Sequence, residues 1–227
     1  MATVVFLNGE YEDAGYYRRW FEDGERIVAA DGGAAFLINR GMYPDVLVGD
    51  LDSLPARLVE QAQRVGVELV RFPTRKDRTD AELAVDEAVR RGAGELVLVG
   101  ALGGSLDHTF GNVTVLRRLA ASGMPARIAA PEMTVRCLVA GETVTLSARP
   151  KTRVSLLALE DQARVTLRGF AYELSEGEIH ADTCLGLGNS IAAHLPTVAV
   201  HVGAAAVFVA DGGETFAGET YWAGDVP

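Results

Sequence analysis

Short apolar runs alternate with helix-like segments along the first part of the chain, and this alternation constrains the fold more than any other feature. The runs have the continuous apolar character of strands buried on both faces of a parallel sheet. They lie at residues 3–7, 26–30, 46–48, 67–72, 95–99 and 126–130. Helices are predicted between them at residues 34–40, 55–65, 80–91 and 108–121. The pattern predicts a mainly parallel α/β domain, whose ligands bind beyond the carboxyl ends of the strands.

The composition changes after about residue 140, where the helical periodicity fades. Short strand-like runs separated by turn residues follow at residues 143–146, 153–159, 163–167, 171–174, 197–202 and 204–209. This spacing is typical of a small antiparallel β-sandwich. We therefore predict an α/β domain at residues 1–140 and a β-sandwich domain at residues 141–227.

Composition and charge limit the classes of function. The chain has 227 residues, 48% of them apolar, and a formal net charge of −10. The negative charge argues against a nucleic-acid binder, since such proteins concentrate Lys and Arg on one face. Cys137 and Cys184 form no metal-binding pattern and no disulfide framework, and both are predicted to be buried apolar side chains. Without a signal-like start or an apolar run long enough for a bilayer, we expect a cytoplasmic protein with no membrane or nucleic-acid partner.

Acidic and glycine-rich clusters follow the predicted strands of the first part. They are Asp31-Gly32-Gly33, Gly49-Asp50-Leu51-Asp52-Ser53, Lys76-Asp77-Arg78-Thr79-Asp80, Gly100 with Gly103-Gly104, Asp107-His108, and Asn112. Carboxylates gathered at one sheet edge repel each other unless a cation neutralises them. Neighbouring glycines let backbone N–H groups approach phosphate oxygens. Together the clusters predict a magnesium–nucleotide site, and so an enzyme that transfers phosphoryl groups.

Each acidic pair also has an ordinary structural explanation. Asp50 and Asp52 suit a shared cation, but they equally suit a turn before the next helix, for which Ser53 is a plausible cap. Asp77 and Asp80 suit the N-terminus of a helix with nothing more. Because both pairs occur in the same chain, the interpretation as a cation site is favoured.

The remaining polar residues are open to two interpretations in the same way. Lys76 and Arg78 could bind phosphate or simply face solvent. Asp107 and His108 could begin a helix, or Asp107 could bind a metal or a substrate hydroxyl while His108 holds it in place. A single glycine-rich loop is weak support for a nucleotide site.

The clusters taken together resemble the thiamine pyrophosphokinase family over nearly the whole chain. The family pattern contains Asp-Gly-Gly, Gly-Asp-x-Asp-Ser, Lys-Asp-x-Thr-Asp and Gly-Gly-Arg-x-Asp-His segments, the last followed by Asn. The matching segments here are residues 31–33, 49–53, 76–80 and 103–108, with Asn112. Four motifs in the family's order form a specific signal.

The resemblance implies a fold, a reaction and an assembly. The family has a catalytic α/β domain followed by a β-sandwich, and it works as a homodimer that holds thiamine between the catalytic domain of one subunit and the sandwich of the other. It transfers the diphosphate group of ATP to the hydroxyl of thiamine, giving thiamine diphosphate and AMP. Residues 1–140 would then bind ATP and Mg²⁺, and residues 141–227 would bind thiamine.

The resemblance also assigns roles to individual residues. The implied Mg²⁺ ligands are Asp31, Asp50, Asp52 and Asp80. The implied catalytic carboxylates are Asp77, Asp80 and Asp107. The implied contacts to the nucleotide are Gly32, Gly33, Lys76, Arg78, Thr79, Gly103, Gly104, His108 and Asn112. The implied contacts to thiamine are Asn189, Ser190 and Phe208.

The chain departs from the family pattern at two places. Ser105 stands where the family usually has Arg, which removes a cation that could bind phosphate. In the sandwich, the usual Gly-x-Ser-Asn turn is replaced by Gly186-Leu187-Gly188-Asn189-Ser190, so that Ser190 is the candidate substitute for the missing hydroxyl. Phe208 is the nearest candidate for a Trp that some members stack on thiamine.

The expected chemistry is direct in-line attack of the acceptor hydroxyl on the β-phosphorus of ATP, with Asp80 or Asp107 orienting the hydroxyl or accepting its proton. Two other functions remain open from the residues. One is a pyrophosphokinase for another hydroxyalkyl heterocycle such as a pterin. The other is an inactive ATP-binding regulatory module.

Overall fold

The computed structural model of the protein describes residues 2–73 and 77–210, and the backbone of residues 221–222. The chain divides into two compact units by its internal contacts. The first comprises residues 1–112 and 124–128, and the second comprises residues 113–123 and 129–227. The chain therefore passes between the units within its longest helix. A division at residue 140 into a nucleotide-binding and an acceptor-binding domain stays a prediction.

The first unit is built from alternating strands and helices. Its elements are β1 (Thr3–Phe6), α1 (Ala14–Asp23), β2 (Arg26–Ala30), α2 (Asp31–Ile38), β3 (Val46–Gly49), α3 (Ala56–Arg64), β4 (Glu68–Arg71), α4 (Asp80–Arg90) and β5 (Leu96–Val99), with the start of α5 (Leu106–Ala121) and most of β6 (Ala126–Ala130). The strand order is β6-β5-β1-β2-β3-β4, and each neighbouring pair is parallel. The predicted parallel α/β sheet is confirmed.

Burial explains why these runs form a parallel sheet. Every residue of β1, β3 and β5 is buried, as strands covered on both faces require. From β1 the chain adds β2, β3 and β4 on one side and then returns to place β5 on the other. The strand order thus reverses beside β1, and ligands of such sheets bind at the carboxyl ends of the strands near that reversal.

The second unit is antiparallel. Its strands are β7 (Met133–Val139), β8 (Glu142–Thr145), β9 (Arg153–Ala158), β10 (Gln162–Arg168), β11 (Leu174–His180), β12 (Asn189–Ser190), β13 (Thr197–Val202), β14 (Ala204–Val209) and β15 (Tyr221–Trp222). They pair in the orders β12-β9-β14-β7 and β11-β10-β13-β8-β15. Side chains from both groups, among them Val154, Val207, Val165 and Val198, share one buried core. The predicted antiparallel sandwich is confirmed.

Several local expectations were wrong. Helix α2 begins at Asp31 and not at residue 34, so the Asp-Gly-Gly segment forms its first turn. Helix α3 has Pro55 as its N-cap without a side-chain hydrogen bond, because the Ser53 hydroxyl is bonded to Asp31 instead. A strand predicted at residues 171–174 lies later, as β11, and Cys184 is exposed although Cys137 is buried.

Four elements were not predicted, namely α1, β7 and the two-residue strands β12 and β15. Helix α1 contains four aromatic and two arginine residues, a composition without a strong helical signal, but the Asp13 side chain caps it by accepting a hydrogen bond from the Tyr16 N–H. Strand β7 follows β6 after the two-residue turn Pro131-Glu132. Within the described ranges, no helix has both the length and the apolar character needed to cross a membrane.

Candidate active site

Three carboxylates meet at the carboxyl ends of neighbouring strands. Asp31 directly follows β2, Asp50 follows β3, and Asp52 lies in the loop beyond it. Each side chain offers an oxygen, and these oxygens all lie within 4.8 Å of one another. Because β2 and β3 are parallel neighbours, their carboxyl ends share one sheet edge. The sequence prediction that these three residues converge agrees with the structure.

The backbone between β3 and α3 is shaped to bring the carboxylates together. A Cβ atom on Gly49 would overlap Oδ1 of Asp31, so only glycine allows β3 to end this close to Asp31. Leu51 is buried and has a left-handed φ of 65°, which reverses the chain between Asp50 and Asp52. The Asp52 N–H then donates to Asp50 Oδ1 at 3.2 Å. The loop therefore aims two carboxylates at the one on α2.

The surroundings of Asp31 favour a carboxylate that is bound to a cation over one that has no counter-charge. Its side chain is 3% exposed, Ser53 Oγ donates to its Oδ2 at 3.0 Å, and its Oδ1 is buried without a hydrogen-bond partner among the described residues. Burial, reinforced by the charges of Asp80 and Asp50, raises the pKa of Asp31 from 3.8 to about 6. A hydrogen bond with Asp50, burial and nearby negative charge raise the pKa of Asp52 in the same direction.

The donor set fits a hard divalent cation. All the converging side chains are carboxylates, and oxygen ligands of this kind suit Mg²⁺, Mn²⁺ or Ca²⁺ rather than softer metals. A cation would also provide the buried Asp31 Oδ1 with the partner that no residue in the described ranges supplies. The fit thus rests on the chemistry of the donors and on one unsatisfied buried oxygen.

Asp80 connects this cluster to a pocket. It begins α4, where Thr79 forms a capping box: Thr79 Oγ1 accepts from the Glu82 N–H at 3.2 Å and Glu82 Oε2 accepts from the Thr79 N–H at 3.0 Å. The Asp80 charge raises the pKa of both Asp31 and Asp52. Asp80 therefore interacts electrostatically with the carboxylate cluster. The cap fixes the position of Asp80, and it also shows that Thr79 has a structural role.

The pocket beside Asp80 has a volume of about 140 Å³. It is lined by Leu7, Asn8, Gly9, Thr79, Asp80, Ala81, Gly100, Ala101, Gly103, Ser105, His108 and Asn112. These residues come from the carboxyl ends of β1 and β5, from the start of α4, and from the first two turns of α5 and the residues just before it. The pocket therefore lies where the strand order reverses, which is the place expected for a ligand of this fold.

Several residues in and around the pocket use polar atoms for hydrogen bonds within the protein. Asn112 is buried, and its Nδ2 donates to the Ala101 carbonyl at 2.8 Å, which braces the loop after β5. Ser105 Oγ donates to Asp107 Oδ1, and that oxygen also accepts from the His108 N–H at 3.0 Å. The bond from Ser105 lowers the pKa of Asp107. Ser105 and His108 line the pocket, whereas Asp107 is not among its lining residues in the described part of the chain.

The other predicted nucleotide contacts lie outside the pocket lining. Asp77 and Arg78 are exposed, and the Arg78 guanidinium forms an ion pair with Asp86. Gly32 and Gly33 each pack where a Cβ would overlap another residue, the Asn8 side chain and the Phe6 carbonyl respectively. Gly104 is exposed, and Lys76 lies outside the described residues. The structure thus leaves the assignment of these residues to phosphate as a prediction.

The three residues predicted to contact thiamine lie on β12 and β14, the two strands that flank β9, but on two faces of the sheet. Asn189 pairs with Val154, which is in the buried core, whereas Phe208 pairs with Ser155, the next residue along β9. Since side chains alternate along a strand, Ser190 lies on the Phe208 face and Asn189 on the core face. Asn189 is buried, and its amide bonds the Tyr172 N–H at 3.1 Å and the Tyr172 carbonyl at 2.7 Å.

Sequence reasoning missed Asn8 and Tyr11, which follow β1. Asn8 lines the pocket, while the Tyr11 hydroxyl donates to the Leu7 carbonyl and its ring stacks on Phe36 with centroids 4.1 Å apart. The sequence feature that could have revealed them is their position directly after the first buried strand, where ligand contacts of this fold are expected. That strand is followed by Asn8-Gly9, a turn-like pair without the carboxylates that marked the other strand ends.

Comparison with known proteins identifies the family. The model of the thiamin pyrophosphokinase catalytic domain matches residues 17–128. The crystal structure of thiamin pyrophosphokinase from Geobacillus thermodenitrificans is 31% identical and superposes with a TM-score of 0.77, covering 93% of this chain and 98% of that one. The chain belongs to the thiamine pyrophosphokinase family.

More distant members agree. A thiamine pyrophosphokinase from Bacillus subtilis (strain 168) is 26% identical over 165 residues, which covers 72% of this chain and 77% of the relative. The crystal structure from Bacillus subtilis superposes with a TM-score of 0.78 at 20% identity, over 93% of this chain and 99% of that one, and so supports the fold. The resemblance first seen in the acidic and glycine-rich motifs is confirmed.

Proposed function

We propose that this member of the thiamine pyrophosphokinase family transfers the diphosphate group of ATP to the hydroxyl of thiamine, giving thiamine diphosphate and AMP. The observation that carries the proposal is the convergence of Asp31, Asp50 and Asp52 beside a glycine-lined pocket at the reversal of the strand order. The family assignment supplies the reaction. The comparisons do not favour the pterin acceptor or the inactive regulatory module.

Asp31, Asp50, Asp52 and Asp80 are the proposed ligands of Mg²⁺. When bound, Mg²⁺ would neutralise negative charge on the phosphate chain of ATP and on the departing AMP. The protein's own contribution is to hold these carboxylates in place through Gly49 and Ser53 and through the Thr79 cap.

The proposed transfer needs no covalent intermediate with the protein. The acceptor oxygen forms a bond to the β-phosphorus, and the bond from that phosphorus to the oxygen bridging to the α-phosphorus breaks, so that AMP leaves with the electron pair. The hydroxyl proton passes to a carboxylate, for which we propose Asp80, since it lines the pocket beside the cluster. Asp107, kept ionised by Ser105, and Asp77 would orient the loops and the hydroxyl.

The proposed nucleotide contacts include four pocket residues, Gly103, Thr79, His108 and Asn112. Gly32, Gly33, Lys76, Arg78 and Gly104 complete the proposed set. Of the residues proposed for thiamine, Ser190 and Phe208 share one face of the sandwich sheet. Asn189 would act by fixing the Tyr172 loop beside them.

A homodimer and a cytoplasmic location are also proposed. The homodimer rests on family membership, and light scattering of the purified protein tests it. The location is consistent with two cysteines that are both free.

Product analysis tests the function. Purified protein with Mg²⁺ and ATP should release AMP in an amount equal to thiamine diphosphate, and only when thiamine is present. Asp50→Asn should reduce turnover at least about 100-fold, while the exposed Asp23→Asn should retain it. Turnover of a pterin alcohol in place of thiamine, or full turnover by Asp50→Asn, would contradict the proposal.

A further inference from the structure

We propose that Asn8 binds the transferred diphosphate of ATP through its side-chain amide, an inference that rests on the proposed function. Asn8 lies two residues beyond the end of β1, at the point where the strand order reverses. It lines the pocket together with Asp80 and His108. None of the acidic or glycine-rich motifs includes it.

The side chain of Asn8 lies between the pocket and the carboxylate cluster. A Cβ atom on Gly32 would overlap Oδ1 and Cγ of Asn8, so the amide sits directly against the first turn of α2, one residue from Asp31. On its other side, Asn8 shares the pocket lining with Asp80, whose charge reaches Asp31 and Asp52. A phosphate chain that runs from the pocket to the carboxylates would therefore pass Asn8.

The chemistry of Asn8 suits this place. Its side chain is exposed, and its amide makes no hydrogen bond with any other described residue. An Asn amide offers two N–H donors, and the surrounding side chains at this edge are acceptors: Asp31, Asp50, Asp52 and Asp80. A phosphate oxygen near those carboxylates needs donors, and the Asn8 amide, whose Oδ1 lies against Gly32, can offer its uncharged Nδ2. The pocket wall that holds Asn8 is fixed, because Tyr11 bonds the Leu7 carbonyl and a Cβ on Gly9 would overlap the Gly100 carbonyl.

The position also decides which part of the nucleotide is bound. The amide lies on the side of the pocket that faces Gly32 and Asp31, where the metal-bound phosphates belong. The nucleoside and α-phosphate must occupy the rest of the pocket. We therefore assign Asn8 to the β- and γ-phosphates rather than to AMP.

Binding measurements without thiamine test this assignment. The affinities of Mg²⁺-loaded α,β-methylene-ATP and of AMP should be measured by calorimetry for the wild type, Asn8→Ala and Asn8→Asp. A hydrogen bond to a charged group typically contributes about 1.5–3 kcal/mol, so Asn8→Ala should weaken α,β-methylene-ATP about 10- to 100-fold and AMP less than about 2-fold. Asn8→Asp should weaken it further, because the new charge repels phosphate.

The control is Asn39→Ala, which removes an exposed amide at the C-cap of α2 and should leave both affinities unchanged. Thermal midpoints should match for all variants, since Ala keeps the Cβ that packs over Gly32. Unchanged α,β-methylene-ATP affinity in Asn8→Ala, or equal losses for both nucleotides, would overturn the assignment while leaving the proposed function intact. Failure of the wild type to bind α,β-methylene-ATP would instead overturn the proposed function, and this assignment with it.

Discussion

Asp31 is almost completely buried, and one of its carboxylate oxygens has no hydrogen-bond partner among the described residues, a combination that protein interiors rarely accept. Ser53 satisfies one oxygen and leaves the other facing Gly49. A carboxylate in this position lowers the stability of the metal-free fold, because burial disfavours its charged form. The residue is therefore tolerated for what it binds and not for what it contributes to the fold.

Asp31→Asn should separate these two effects. At pH 8 in the presence of EDTA, we expect the variant to be about 2 kcal/mol more stable than the wild type, since Asn removes the buried charge and its oxygen can still accept from Ser53. Added Mg²⁺ should raise the unfolding midpoint of the wild type and not that of the variant. Denaturant titrations measure both, with Asp23→Asn as a surface control. A variant less stable than the wild type in EDTA would contradict the argument.

The residues of the site differed in how far the sequence revealed them. Carboxylates at strand ends, such as Asp50, are visible because charge beside a buried strand is unusual. Asn8 has no such contrast with its surroundings, and its place in the site depends on contact with Gly32, which is 24 positions away in the chain. Asn189 shows the converse error. Its motif suggested a contact to the ligand, but in the structure its amide is hydrogen-bonded to Tyr172.

Among the elements, helix α4 is tied to the sheet by a chain of ion pairs. Glu87 is buried and accepts from Arg90 and Arg91, and Arg91 also bonds both carboxylate oxygens of Glu68 at the start of β4, at 2.9 and 2.5 Å. The hydrogen bond from Arg90 is the largest cause that lowers the pKa of Glu87, and the bond from Arg91 lowers the pKa of Glu68. The connection fixes the end of the helix whose beginning carries Asp80.

This connection should give the fold a defined pH dependence. A carboxylate with a lowered pKa stabilises the folded state above its unfolded value of 4.5, and that contribution is lost as pH falls through the lower folded value. Between pH 6 and pH 3, the wild type should therefore lose about 1–2 kcal/mol more stability than Glu87→Gln. Urea titrations at several pH values measure the difference. Glu60→Gln, which removes an exposed pair with Arg64, should behave like the wild type, and equal pH slopes for all three proteins would refute the prediction.

Element boundaries were predictable where caps and buried runs coincide, as at Thr79 before α4. They were not predictable where a tertiary contact overrides a local signal. Ser53 has the chemistry of a helix cap, but its hydroxyl bonds Asp31 from another strand end, and α3 begins without a side-chain cap. Helix α1 was missed because its aromatic residues pack on Phe36 and on one another rather than forming a repeating apolar stripe.

At the scale of the whole molecule, the two compact units do not correspond to two consecutive stretches of chain. The boundary between them falls inside α5, after Asn112, and the chain returns to the first unit for residues 124–128. The last helix ends at Ala121, and the change of composition near residue 140 comes only after β7, which already pairs along its length with β14. Composition and periodicity can be read from the sequence, but neither shows which distant strand will pair with a given one.

A fragment comprising residues 1–140 should therefore fail to fold. It would expose Val135, Cys137 and Leu138 of β7, which are at most 3% exposed in the full chain, and would lose the Glu160 partner of Arg117. We expect an aggregated product or one without a cooperative thermal transition, measured by near-ultraviolet circular dichroism against the full chain. A soluble fragment with a sharp transition would contradict this expectation.

The close approach of Gly49 to Asp31 has a consequence for how this site can evolve. Any side chain at position 49 collides with the Asp31 carboxylate, so substitutions at 49 are deleterious while position 31 is Asp. Replacement of Asp31 by a smaller residue removes this collision and leaves only the backbone cost of a side chain at a φ of 157°, so substitutions at position 49 should become less deleterious. The two positions thus form an epistatic pair, in which the order of mutations decides which paths are open, and a paired saturation library of both codons would display that dependence directly.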